Sequence, residues 1–131
     1  MTDAPHPVIL VVDDEDLIRA AERRILESDG YRVVDADSGP AALALMADGR
    51  HVDLLVADLE MPDLKGHEMA KKLHLLLPDL RVLYVTGHID MLMNDRPVLW
   101  EGEAFLEKPF TINGLKEAVS LLLYGTLQKP Q

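Results

Sequence analysis

Cysteine is absent from this 131-residue sequence, so no disulfide framework, thiolate nucleophile or cysteine-based zinc site is available. Nothing then argues for an oxidising compartment, and the cytoplasm is the expected location. No apolar run approaches the roughly 18 residues of a membrane span. The segment from Met1 to Pro7 also lacks a basic stretch followed by an apolar one, so neither membrane insertion nor secretion is expected. Bases are scarce as well: 13 Lys and Arg face 23 Asp and Glu, a formal charge of −10. Binding to phosphate backbones by counterion release has no positive surface to drive it, so no direct nucleic-acid partner is expected. Internal repeats, low-complexity runs and an interdomain linker are missing too.

What is present is the balance of a globular chain, 48% apolar and 27% charged, at a length that suits one domain. Val8 to Val12 is a continuous apolar run, the pattern of a strand buried on both faces of a parallel sheet. From Asp16 to Ser28, Leu17, Ile18, Ala21, Ile25 and Leu26 recur at helical spacing, and Asp29-Gly30 supplies a stop. The alternation continues with strands at 32–36, 52–57, 81–85 and 103–106 and helices at 39–47, 66–76 and 112–123. Between 88 and 100 Pro97 interrupts any helix begun near Ile89, so a short or distorted helix is expected there. The spacing predicts a doubly wound α/β domain over residues 8–124, with 1–7 as an N-terminal extension and 125–131 as a tail.

In such a sheet ligands bind beyond the carboxyl ends of the strands, where strand order reverses. For a flavodoxin-like five-stranded order of 2-1-3-4-5, that point lies between strands one and three. Asp13 and Asp14 follow the first of these and Asp58 follows the third, so three carboxylates converge. Acids that close need a proton or a cation between them, and Mg²⁺ is the hard divalent ion suited to a few carboxylates and retained water. Taken alone, each Asp is more ordinarily a solvated loop residue; it is their convergence that points to a metal pocket. Thr86 ends the fourth strand beside Gly87, and Lys108 follows the fifth, offering a hydroxyl donor and a balancing cation. Thr86 could equally cap a helix, and Lys108 alone would read as a surface lysine.

The segments VVDDED (11–16), DLEMPDLKG (58–66), VTG (85–87) and FLEKPF (105–110) together resemble the response-regulator receiver domain of two-component signalling, over residues 8 to about 123. The resemblance implies an acyl phosphate on Asp58 and Mg²⁺ held by Asp14, Asp58 and the main-chain oxygen of Glu60, with Asp13 acting chiefly through water. It makes Thr86 and Lys108 the groups that grip the phosphoryl oxygens, Phe105 the switch aromatic, and Lys108-Pro109 a cis peptide. The implied partners are a sensor histidine kinase or histidine phosphotransfer protein upstream, and a protein output partner or a homodimer downstream. The domain is expected to catalyse only its own phosphorylation and dephosphorylation. With no helix-turn-helix or catalytic module after the last helix, output is expected through protein contact or onward phosphotransfer.

Pro97 and the run 98–102, with VTGH and AFLEKPF, are closest in flavour to receivers of hybrid sensor kinases. Phe105 lacks the hydroxyl of the tyrosine that many receivers carry. Trp100, Leu121 and Tyr124 are candidates for an exposed apolar patch, Leu121 and Tyr124 lying off the helical face of Ile112, Leu115, Val119 and Leu122. Glu60 and His88 are expected to border the path of water toward the phosphorus. Three other readings are weighed. An aspartate-nucleophile phosphatase lacks its Gly-Thr turn, since Leu17-Ile18 follows Asp16. A flavodoxin-like cofactor binder would not place acids in its first loop. A phosphorylation-independent docking module would not need the acid, Thr and Lys set.

Overall fold

A computed structural model of the chain describes residues 6–60, 66–87 and 102–125. The elements are β1 (Val8–Val12), α1 (Asp16–Ser28), β2 (Arg32–Ala36), α2 (Gly39–Met46), β3 (Leu54–Asp58), α3 (Gly66–Leu76), β4 (Arg81–Thr86), β5 (Glu103–Glu107) and α4 (Ile112–Tyr124). The strands form one parallel sheet in the order β2-β1-β3-β4-β5. Because successive side chains leave a strand on opposite faces, each central strand feeds two cores. Leu10, Val12, Leu55, Ala57, Val82 and Tyr84 pack with Met46 of α2 and Met69 and Leu73 of α3. Ile9, Val11, Leu54, Val56, Leu83 and Val85 pack on the other side with Leu26 of α1 and Leu115 and Val119 of α4. Burial on both faces explains the near-continuous apolar runs of β1, β3 and β4.

Local chemistry fixes the helix ends. The hydroxyl oxygen of Ser38 accepts from the Ala41 N–H at 3.2 Å, with Pro40 in the first turn of α2, and that of Thr111 accepts from the Gly114 N–H at 2.9 Å. At the far end of α4, Gly125 closes the helix with φ 74°, a left-handed conformation that favours glycine. Ser38→Ala is expected to cost about 1 kcal/mol, read as a lower urea midpoint at unchanged slope; an unchanged midpoint would show that the cap contributes nothing to stability.

Several details differ from the sequence pattern. β3 begins at Leu54 rather than Val52 and takes in Asp58, which pairs with Val85. Leu17, expected on the apolar stripe of α1, is 87% exposed. The helical period groups it with exposed Ala21, whereas Ile18, Glu22, Ile25 and Leu26 turn inward. Ile112 is exposed too, since burial along α4 starts at Leu115, one turn further in. Leu121 and Tyr124 are exposed as expected. The irregular helix expected at 88–100, with His88, Pro97 and Trp100, lies outside the described residues, as do 1–5 and 126–131 of the two terminal segments. Among the described residues no helix is long and apolar enough to cross a membrane.

Candidate functional site

From β1 the chain crosses to β2 on one side of the sheet, and from β3 to β4 on the other, which opens a crevice at the carboxyl ends of β1 and β3. Asp13 leaves β1 into this crevice and Asp58 ends β3. One carboxylate oxygen from each of Asp13, Asp14 and Asp58 lies within 4.8 Å of the others. Asp13 and Asp58 are 1% and 3% exposed, while Asp14 faces solvent.

Each buried acid has one oxygen fixed by the backbone. Oδ1 of Asp13 accepts from the Glu15 N–H at 2.9 Å, and Oδ1 of Asp58 from the Glu60 N–H at 3.0 Å. Arg19 braces the first loop, donating through Nη1 to the main-chain oxygen of Asp13 at 2.8 Å and pairing with Asp16 and Asp35. Oδ2 of Asp58 faces Nζ of Lys108 at 3.4 Å. The lysine is itself anchored where β4 ends, its N–H donating to the Thr86 carbonyl at 2.8 Å. The Lys108-Pro109 peptide is cis.

Burial dominates the electrostatics. It pushes the Asp13 carboxyl from 3.8 up to about 6; the Glu15 N–H opposes this shift and the nearby Asp58 charge adds to it. For Lys108 burial works against the charge, but the carboxylates of Asp58 and Asp13 outweigh it and hold the ammonium above the usual lysine range. Oδ2 of Asp13 is buried with no hydrogen-bond partner among the described residues. An all-oxygen donor set in excess of its balancing cation, with one buried oxygen unsatisfied, fits a hard divalent metal.

Thr86 and Glu60 meet in a way the sequence did not suggest. Oε1 of Glu60 accepts from the Thr86 hydroxyl at 2.8 Å and from the Gly87 N–H at 3.0 Å. Glu60, expected to border a water path, thus engages the Thr86 hydroxyl expected to serve an incoming group; His88, expected beside it, lies outside the described residues. Phe105 pairs with Tyr84 in the ladder and packs half-buried on the same face, the face to which Thr86 also belongs by the period of two. The crevice therefore gathers Asp13, Asp14, Asp58, Glu60, Thr86 and Lys108, with Phe105 alongside on β5.

One residue escaped sequence reasoning. Glu22 of α1 is 1% exposed, its Oε2 has no hydrogen-bond partner among the described residues, and it lies within reach of Asp13. The signal was available: position 22 is four residues from both Ile18 and Leu26, so it falls on the inward line of the helix.

Comparison with known proteins adds the following. The profile of the response regulator receiver domain matches residues 9–120. The sensor kinase CckA of Brucella abortus is 34% identical over 116 residues, which cover 88% of this chain and 12% of that protein. The response regulator MprA of a Mycobacterium species is 35% identical over 118 residues, 90% of this chain and 51% of MprA. The chain thus spans only a part of each of these relatives. Among solved structures, the response regulator TrrA of Thermotoga maritima in complex with Mg²⁺ and BeF superposes with a TM-score of 0.77 at 32% identity, covering 89% of this chain and 99% of TrrA.

Proposed function

The chain belongs to the response regulator receiver domain family, and from that premise we propose that it is a Mg²⁺-dependent phosphoryl acceptor, modified on Asp58, whose phosphorylation switches a protein-interaction surface. The observation that carries this reading is the meeting of a buried Asp58, the Asp13 and Asp14 carboxylates and Lys108 in one crevice. A similar domain, TrrA, takes up Mg²⁺ with a beryllium fluoride.

Asp14, Asp58 and the main-chain oxygen of Glu60 hold the cation in this reading, with Asp13 acting through water. Bound Mg²⁺ supplies charge neutralisation at the phosphoryl oxygens. An Asp58 carboxylate oxygen attacks phosphorus, the bond from phosphorus to the imidazole nitrogen of a phosphohistidine breaks, and that nitrogen keeps the electron pair. Lys108 exchanges its contact with Asp58 for the new phosphoryl oxygens. The added charge draws the Thr86 hydroxyl, and Phe105, on the same face of the sheet, turns toward the space Thr86 leaves. Phosphohistidine comes from a sensor kinase or phosphotransfer protein in the cytoplasm. The output is a protein contact or a homodimer, and the chain's chemistry is confined to its own phosphorylation and dephosphorylation.

Incubation with acetyl phosphate, with and without Mg²⁺, tests the reading by mass spectrometry. One added phosphoryl group only when Mg²⁺ is present is the expected result; no uptake under either condition would leave a docking module.

Glu60 supplies a sharper test. Its carboxylate occupies donors that a phosphoryl oxygen requires, so it competes with the phosphorylated state. Glu60→Ala is expected to tighten beryllofluoride binding about three- to tenfold, the worth of one hydrogen bond of about 1 kcal/mol. Unchanged or weaker binding in a calorimetric titration would refute the competition.

A further inference from the structure

We propose that Asp35 and Arg19 form a positioning pair that clamps the peptide bond between Asp13 and Asp14, so that β2, a strand that supplies none of the crevice residues, sets the direction of both carboxylates. The inference rests on the Mg²⁺ reading above and carries it to two side chains outside the crevice.

One guanidinium makes all the contacts. Nη1 of Arg19 donates to the main-chain oxygen of Asp13 at 2.8 Å, Nη2 to Oδ1 of Asp16 at 2.7 Å, and Nε to Oδ2 of Asp35 at 3.3 Å. The Asp16 side chain is 85% exposed, so that pair adds little, whereas Asp35 is 31% exposed and is the better shielded anchor. Asp35 is held from its other side as well, its Oδ1 accepting from Nη1 of Arg23 at 3.0 Å. The rigid fork of arginine lets one side chain join strand and loop in a fixed geometry. The carbonyl it grips belongs to the peptide that links two pocket acids. A planar peptide turns as a unit, so rotating it would re-aim the side chains on either side. The Asp13 N–H donates to the Ala36 carbonyl at 3.2 Å. Asp13 is thus tied to β2 twice, directly through Ala36 and by way of Arg19 through the neighbouring Asp35.

The signs of two substitutions separate a clamp from a field effect. Arg19 carries a positive charge, which repels a divalent cation, and Asp35 a negative one, which attracts it. By charge alone, Arg19→Gln tightens Mg²⁺ binding and Asp35→Asn weakens it. Loss of a clamp weakens it in both.

Mg²⁺ affinity is measured by calorimetry on the parent, Arg19→Gln, Asp35→Asn and the double variant. In the metal-free proteins, the Asp13 carbonyl carbon and Asp14 amide nitrogen resonances are recorded, since both report the hydrogen bond to that peptide. Arg19→Gln is expected to bind about tenfold more weakly, the usual cost of losing a group that orients a metal ligand. Asp35→Asn is expected to lose affinity by a smaller factor, because an asparagine offers one acceptor oxygen to two guanidinium groups. The double variant is expected to bind no more weakly than Arg19→Gln alone, since Asp35 acts only through Arg19. Both resonances are expected to move in every variant. Tighter or unchanged binding in Arg19→Gln would overturn the clamp, as would an Asp13 carbonyl resonance that stays in place or losses that add in the double variant. Should Arg19→Gln fail to fold, Asp35→Asn and its Asp13 resonance decide alone. A parent that binds no Mg²⁺ would overturn the metal reading and the positioning role with it, whereas a parent that binds beside an indifferent Arg19→Gln overturns only the clamp.

Discussion

An Asp58→Asn protein is expected to gain no phosphoryl group from acetyl phosphate and Mg²⁺ under conditions that label the parent fully, while its circular dichroism stays the same. The carboxylate supplies the attacking oxygen, and an amide oxygen at the same place lacks the negative charge needed to displace the donor. The fold survives because the Asn oxygen can still accept the Glu60 N–H that Oδ1 of Asp58 accepts at 3.0 Å. Lys108 loses its partner at 3.4 Å, yet the pocket also loses one of three crowded carboxylates. Removing a like charge from such a cluster opposes the loss of the pair, so the variant is expected to remain folded. Full labelling of Asp58→Asn at another residue would refute the assignment of the acceptor. A collapse of the fold would show that Asp58 is a structural acid.

The period of the apolar residues made the sheet legible. Val8 to Val12 and Val82 to Val85 are apolar throughout because both faces of their strands are covered, and that pattern fits few settings other than a parallel sheet. Once the strands were placed, the topology brought Asp13, Asp14 and Asp58 together without reference to any motif, since strand ends at a switch point are neighbours by construction. Side-chain direction was harder to read. Leu17 looked like a core residue by type, and only the phase of the helix, set by what packs behind it, turns it outward. Glu60 could be placed near the crevice but not on Thr86, because a flexible carboxylate chooses among donors that lie 26 and 27 residues away in sequence. Glu22 is hidden in the sequence for the opposite reason: polar type suggests solvent, and the inward phase of its helix overrides type.

In the metal-free protein, conformational stability is expected to fall as pH rises from about 5 to about 8, the reverse of the usual gain as carboxylates ionise. Burial, with the charges of Asp13 and Asp58 adding to it, raises the Glu22 carboxyl from 4.5 to about 8, and burial raises Asp13 from 3.8 to about 6. The unfolded chain releases these protons near pH 4 to 5, whereas the folded chain holds them longer. Across that interval the native state carries more bound protons, so raising the pH pulls the equilibrium toward the unfolded state. The stability is complete below the unfolded values and is lost progressively up to the folded ones. At about 1.4 kcal/mol for each pH unit, Glu22 alone accounts for a loss on the order of 4 kcal/mol. Lys108 and Arg19 do not oppose the trend, because their raised values keep both fully charged throughout this window in either state. Urea unfolding in the presence of a chelator at pH 5, 6.5 and 8 should therefore show a falling midpoint. Glu22→Gln should flatten the profile by removing the larger contribution. Saturating Mg²⁺ should offset the loss at pH 8, since a cation bound only to the folded state stabilises it by mass action. A midpoint that instead rises with pH would mean that Glu22 is ionised in the folded protein and held by a positive partner.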